Sequence, residues 1–506
     1  MSAFSRNVSA NILGAGWTAV VQLAVVPLLV SRLGVESFAL IGFYAAMLAT
    51  LGILDLGLTP TLTRTMALLG VVPQGRRGGD VLRTFEWVFL VAGATIGAAV
   101  ALCAPVIARH WLNTVSLGEQ EVENALRLMG VLFALRWVAA PYTAVLQGLQ
   151  RQVSLNAVNA VMVTVANAGA LLALSWFDAS IGTFLTWQCL AAAVQYAWMR
   201  VLAWRALPSQ DAGPRFDHRV LLDSWRFSAG VTGITLMGIV LAQSDKIILS
   251  KLVSLEAYGY YSVAQVLVAG LQVVTLPVFN AAMPRLCELA AGGNEDGLHK
   301  FFRMSGELMA ALLVPLALFL AIFANQIMLL WIGANETALR AAPLFQLLLV
   351  GALLNGLMTI PYALQLARGN TRLALSICAA LCLVLVPAIF LLTERFGLAG
   401  GASAGILVNG LYMAFGLPLT YRLCLGSAAW PGYYLDLLKH QGPAVALLAA
   451  AWWFVPSAAV RPAVGAFVLL GVLALAMLIS FACTPGARAM LRELLDRRAS
   501  RINHAG

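Results

Sequence analysis

The chain has 506 residues, of which 61% are hydrophobic and only 11% charged, with a mean hydropathy of +0.86. Soluble domains carry roughly a quarter charged residues, so this composition excludes a water-soluble globule and makes the bilayer the solvent. The net charge of +10 does not point to nucleic acid, because the basic residues are scattered over many short connectors instead of being gathered on one domain.

A crossing needs about 20 mostly apolar residues. In chain order such runs fall near 10–32, 37–59, 86–108, 125–147, 153–175 and 180–202. A second group lies near 227–249, 258–281, 306–328, 341–366, 374–394 and 400–422, and a last pair near 442–460 and 463–483. The first run is longer than a signal-peptide core and no small-x-small site closes it, so an uncleaved first span is expected. The runs are long and continuous, unlike the alternating segments of about ten residues in a membrane barrel. The expected fold is therefore all-α: a polytopic membrane protein of about 14 transmembrane helices. Short connectors leave no extramembrane domain for separate chemistry.

Orientation follows from the basic residues. If the N-terminus is cytoplasmic, the tails and even-numbered connectors hold 23 of the 32 Lys and Arg. Among them are Arg6, Arg76, Arg226, Arg492, Arg497, Arg498 and Arg501. The positive-inside rule then places both termini in the cytoplasm.

Sliding the chain against itself by 220 or 221 positions aligns unusual residues in order. Glu36 meets Glu256, Arg64 meets Arg285, Glu86 meets Glu307, Trp111 meets Trp331, and Pro141-Tyr142 meets Pro361-Tyr362. Such an internal repeat predicts two six-helix lobes, 1–220 and 221–440, followed by a helix pair and basic tail at 441–506. Six spans per copy is an even number, so the two lobes are parallel, an arrangement found in one class of secondary transporters with the pathway between the halves.

An ionisable group inside a span is costly and is a functional candidate by default. Arg136 is the foremost. It lies mid-way along the fourth run, and the repeat places Gly356 opposite it, so the scaffold does not require its charge. It either binds an anionic group such as a phosphate, whose oxygens suit a guanidinium fork, or pairs with Asp55 or Asp245 to lock helices together. Asp55 and Asp245 are the candidate proton or cation sites. Lys246, Arg64 and Arg285 are further candidate cationic contacts, although Lys246 also has the length to snorkel to the headgroups. Glu86 and Glu307 are expected to form ion pairs at the cytoplasmic edge. Gln22, the strongly polar side chain in the middle of the first run, joins Asn156, Asn159, Gln188, Gln195 and other intramembrane amides. These groups suit either sugar hydroxyls or bridges between helices.

No lysine is followed by Ser or Thr, so the chain has no P-loop. The seven cysteines form no Cys-x-x-Cys pair and the five histidines no helical His-x-x-x-His. No metal or cofactor is expected, and the short loops weigh against a glycan-building enzyme.

Four segments complete the reading: Pro27-Leu-Leu-Val-Ser-Arg-Leu-Gly-Val-Glu36, Leu54-Asp-Leu-Gly-Leu-Thr-Pro-Thr-Leu-Thr-Arg64, Gly148-Leu-Gln-Arg151, and Asp245-Lys246 leading to Tyr258-Gly-Tyr-Tyr-Ser-Val-Ala264. Over about residues 8–425 the sequence resembles the Wzx-type polysaccharide and O-antigen flippases of the multidrug/oligosaccharidyl-lipid/polysaccharide exporter superfamily. The resemblance implies translocation of an undecaprenyl-diphosphate-linked oligosaccharide across the bacterial inner membrane by alternating access, coupled to a proton or sodium gradient. It also implies membrane lipids and a polysaccharide polymerase as neighbours. Two departures stand out: Ala39 replaces the usual Gly after Phe38, and an extra helix pair follows residue 440, as in lipid II flippases. The alternatives are a cation-coupled drug antiporter of the same superfamily, a membrane glycosyltransferase or ligase, and a scaffold without transport.

Overall fold

A computed structural model describes residues 3–71, 77–207, 214–333, 336–426, 429–454 and 462–489. Arg76 and the tail residues Arg492, Arg497, Arg498 and Arg501 lie outside them. The fold is all-α. Among the described residues there is no strand, only an isolated bridge between Asn113 and Ser254.

The chain forms two compact units, Met1–Gly259 and Tyr260–Gly506. The first contains α1 (Ala3–Leu51), α2 (Leu58–Val71), α3 (Arg77–His110), α4 (Glu119–Gly148), α5 (Gln152–Trp176), α6 (Ile181–Ala206) and α7 (His218–Leu252). α8 (Leu255–Ala269) begins in it. The second continues through α9 (Gln272–Ala291), α10 (Glu295–Ile322), α11 (Ala324–Ile332), α12 (Glu336–Leu357) and α13 (Thr359–Ala367). It ends with α14 (Thr371–Leu411), α15 (Leu417–Leu425), α16 (Trp430–Phe454) and α17 (Pro462–Cys483).

The predicted apolar runs fall largely on these helices, although the run 37–59 is broken at Leu56 and Gly57 and residues 455–460 of the run 442–460 lie outside the described residues. By length and composition, seven described stretches are able to cross a membrane, and α8 with α9 makes an eighth, bent by 40°. Two of the seven, Ala10–Asp55 and Thr371–Leu425, are 46 and 55 residues long. Each is broken by a glycine at positive φ, Gly34 (φ 80°) and Gly397 (φ 60°), which a residue with a Cβ rarely adopts. The solvent of these helices is apolar: Leu102, Trp176, Leu383 and Trp453 are each more than three-quarters exposed.

In the first unit, Phe85, Phe89, Phe133, Trp137 and Tyr142 form the buried centre between α3, α4 and α6. α3 and α4 touch backbone to backbone, and a Cβ on Gly97 would stand 2.7 Å from the Gly130 carbonyl oxygen. The Glu36 carboxylate ties down the turn between α3 and α4, accepting from the backbone N–H groups of Val115 (2.6 Å), Ser116 (2.8 Å) and Leu117 (3.2 Å). The C-terminal end of α7 docks beside that turn, where Trp111 Nε1 donates to Ser250 Oγ at 3.1 Å and Asn113 Nδ2 to the Lys251 carbonyl at 2.9 Å.

In the second unit the last two helices pack on α10. Phe319 and Phe323, at the end of α10, share a core with Leu448 of α16 and Leu469 and Ala476 of α17. A buried polar set fixes their register: Ser480 Oγ lies 2.6 Å from Gln441 Oε1 and 2.9 Å from the Ala311 carbonyl, and Gln441 Nε2 donates to Thr484 Oγ1 at 3.1 Å. Arg303 and Asp436 add an ion pair between α10 and α16.

Candidate functional site

Arg136 lies 17 residues into α4, about 26 Å along its axis at the rise of an α-helix. The side chain is exposed although the preceding Phe133 and the following Trp137 are buried. Its guanidinium stands 5.6 Å from the centre of the Tyr44 ring on α1 and donates to Gln188 Oε1 on α6 at 3.5 Å. Gln188 Nε2 donates in turn to the Ala166 carbonyl of α5 at 3.2 Å, which orients its oxygen toward Arg136. Among the described residues no carboxylate pairs with Arg136, so the alternative of a locking pair with Asp55 or Asp245 finds no contact in the structure. At the repeat position, a Cβ on Gly356 would stand 2.3 Å from Leu313 Cδ2. Leu313 thus fills the space beside Gly356, the residue that the offset of 220 aligns with Arg136.

A cavity of about 660 Å³ opens among α1, α2, α4 and α5 of the same unit. From α1 come Asn11, Gly14, Ala15, Thr18, Ala19 and Gln22; from α2, Thr63; from α4, Thr143 and Gln147. α5 closes it with Gln152, Leu155, Asn156 and Asn159. None of these residues is charged. Asn156 Nδ2 donates to Asn11 Oδ1 at 2.6 Å, and Gln195 Nε2 of α6 donates to Asn159 Oδ1 at 3.1 Å. Gln22, Asn156 and Asn159 stand out in the sequence as intramembrane amides, whereas Asn11, Thr63, Thr143, Gln147 and Gln152 lie nearer the ends of their runs or are only weakly polar. The available signal was spacing: Asn11, Thr18 and Gln22 stand at i, i+7 and i+11, which share one helix face.

The remaining candidates are dispersed. Asp55 closes a short 3₁₀ turn, Gly52–Asp55, and Leu56 and Gly57 follow at positive φ. Its carboxylate accepts from Thr59 N at 3.2 Å and Thr59 Oγ1 at 2.7 Å, so it caps α2. Asp55→Ala is expected to cost about 1 kcal/mol of stability, as for other lost caps, and Asp55→Asn much less. Thermal unfolding in detergent measures both. Asp245 and Lys246 sit together near the end of α7, with Nζ 4.0 Å from Asp245 Oδ1 and 2.7 Å from the Ala242 carbonyl. Arg285 pairs with Glu288 at 2.6 Å, and Arg64 is exposed on α2 beside Thr63.

The repeat-matched glutamates have different partners. Glu86 Oε1 accepts from Tyr142 Oη at 2.8 Å and Trp204 Nε1 at 2.7 Å, while Oε2 pairs with Arg83 at 3.1 Å. Glu86 thus joins α3, α4 and α6. Glu307 instead accepts from the backbone N–H of Gly486 at 2.8 Å, just beyond α17. Among the described residues no cluster of three or more His, Cys, Asp or Glu stands close enough to hold a metal ion.

The profile of the family described as polysaccharide biosynthesis protein matches residues 4–290, more than half of the chain and nearly all of the unit that holds Arg136 and the amide cavity. The chain belongs to the polysaccharide biosynthesis protein family. It is 20% identical to a putative O-antigen transporter of Shigella flexneri over 428 residues, covering 82% of this chain and 97% of that protein. Among solved structures, the lipid II flippase MurJ in an inward-closed conformation aligns with a TM-score of 0.66 at 10% identity, over 96% of this chain and 99% of that one. An inward-facing multidrug-resistance MATE family transporter of the MOP superfamily aligns with a TM-score of 0.65 at 14% identity, over 80% and 95% of the two chains. At these identities the likeness is one of fold. This member of the polysaccharide biosynthesis family therefore has the multi-pass, all-α architecture of MOP-superfamily transporters.

Proposed function

We propose that this protein is a flippase carrying an undecaprenyl-diphosphate-linked oligosaccharide from the cytoplasmic to the periplasmic leaflet of the bacterial inner membrane. The observation that carries this reading is Arg136: a guanidinium mid-way along α4, exposed, and paired with no carboxylate among the described residues. A planar fork of N–H donors at that depth suits the diphosphate of a lipid-linked glycan. The family match supports the glycan, and the fold supports movement by alternating access.

Gln22 takes the role of a sugar contact, and Arg64, Arg285 and Lys246 that of cationic residues on the diphosphate's route. A proton or sodium gradient drives the cycle through Asp55 or Asp245. Of these two, the Asp55 carboxylate already holds the start of α2, whereas Asp245 has a cation beside it. Both termini lie in the cytoplasm, in keeping with the distribution of Lys and Arg. A polysaccharide polymerase receives the product.

Deletion of the gene tests the proposal. Lipid-linked oligosaccharide should accumulate in the cytoplasmic leaflet, where periplasmic probes do not reach it, and the surface glycan should be lost. Intact surface glycan together with lost drug resistance would overturn the flippase reading in favour of a drug antiporter.

A further inference from the structure

The cavity among α1, α2, α4 and α5 has features that a bridge between helices does not explain. Among the described residues the side chains of Gln22, Thr143 and Gln147 make no hydrogen bond, although all three face it. Gln152 Oε1 is buried at its wall and accepts none. Leaving a buried polar atom unpaired costs about 1–3 kcal/mol, and amides that serve only to join helices spend their donors and acceptors on each other. Its volume of about 660 Å³ lies within the roughly 300–1,000 Å³ of small-molecule sites. The absence of a charged lining residue argues against an ionic ligand.

The cavity also has a fixed relation to Arg136. Thr143 and Gln147 follow it on α4 at i+7 and i+11, hence on the same helix face. Seven residues correspond to about 10.5 Å along the axis. A ligand with an anionic group at Arg136 and a neutral, hydroxyl-rich portion next to it would meet both along one stripe of α4.

We infer that this cavity is a binding subsite for uncharged sugar residues, distinct from the anion contact at Arg136. Amide and hydroxyl side chains there donate to and accept from sugar hydroxyls, while the guanidinium holds the charge. The inference rests on the flippase reading for its biological role but not for its binding chemistry. The two are therefore separable by experiment.

The test uses the purified full-length protein in lipid nanodiscs, titrated calorimetrically with glucose, galactose, N-acetylglucosamine and maltose, and separately with inorganic pyrophosphate. At least one neutral sugar should bind. Gln147→Leu combined with Thr143→Val should weaken it at least tenfold and leave pyrophosphate within twofold of wild type. Ala19→Leu fills the cavity from the α1 side without removing a polar group, and should give the same loss. This second variant guards against misfolding of the first. Arg136→Ala should show the converse pattern, with pyrophosphate lost and the sugar retained. Failure of every sugar to bind the wild type, or wild-type sugar affinity in Ala19→Leu, would overturn the subsite. Sugar binding that depends on the cavity, with no pyrophosphate binding at all, would support the subsite while counting against the anion role of Arg136.

Discussion

Arg136→Ala is expected to reduce glycan export at least tenfold while leaving the protein folded in the membrane. Charge-assisted hydrogen bonds contribute about 1.5–3 kcal/mol, and each 1.4 kcal/mol is about a factor of ten in binding. The structural loss is smaller. The side chain is exposed, its contact with Gln188 is at the outer limit of a hydrogen bond at 3.5 Å, and its other partner is the face of Tyr44. A cation over an aromatic ring contributes about 0.5–1 kcal/mol at an accessible site. Arg136→Lys keeps the charge but not the planar fork and should retain part of the activity. Surface glycan measured on gels, normalised to membrane abundance by immunoblot, reads both variants. Wild-type export by Arg136→Ala at wild-type abundance would remove the proposed diphosphate contact.

Gly130→Val is expected to have the largest effect on stability. α3 and α4 cross where Gly97 and Gly130 face each other, and a Cβ on Gly130 would stand 2.6 Å from the Gly97 carbonyl oxygen and 3.2 Å from the Ala101 backbone nitrogen. Those are backbone atoms, so no rotamer change relieves the clash and the helices must separate. Small residues at such crossings are how membrane helices approach closely, and overpacking a tight contact costs about 1–3 kcal/mol, occasionally more. The displaced α4 carries Arg136, Thr143 and Gln147, so export should fall together with thermal stability in detergent. Gly238→Ala on α7 is the control: nothing lies within 4 Å of its Cβ position, and alanine favours helix by roughly 0.5–1 kcal/mol. An unfolding temperature for Gly130→Val equal to that of wild type would refute the account of this crossing.

Some features were legible in the residues because their causes are local. The apolar runs specify helices in a bilayer whatever their neighbours, and within the described residues they lie mostly on helices. Arg136 was conspicuous because a charge within an apolar run is costly wherever the helix packs. Gln22, Asn156 and Asn159 were identifiable as intramembrane amides for the same reason.

Other features depended on which helices meet. The repeat aligns Glu86 with Glu307, yet one joins three helices of the first unit and the other holds the chain just beyond α17. Sequence similarity records the shared residue but not the neighbour that arrives from a distant part of the chain. Asp55 read as a candidate coupling acid, and its capping of α2 became apparent only with the 3₁₀ turn and the left-handed Leu56 that break the helix.

By itself the sequence determined the solvent, the helices and the presence of a cation, Arg136, in the middle of an apolar run, since hydropathy and charge are properties of single segments. Only the tertiary structure decided that Arg136 meets Tyr44 and Gln188 without a carboxylate, and that amides from α1, α4 and α5 surround one cavity. The physical reason is that helix periodicity assigns a residue to a face, whereas packing between segments far apart in the chain decides what that face meets.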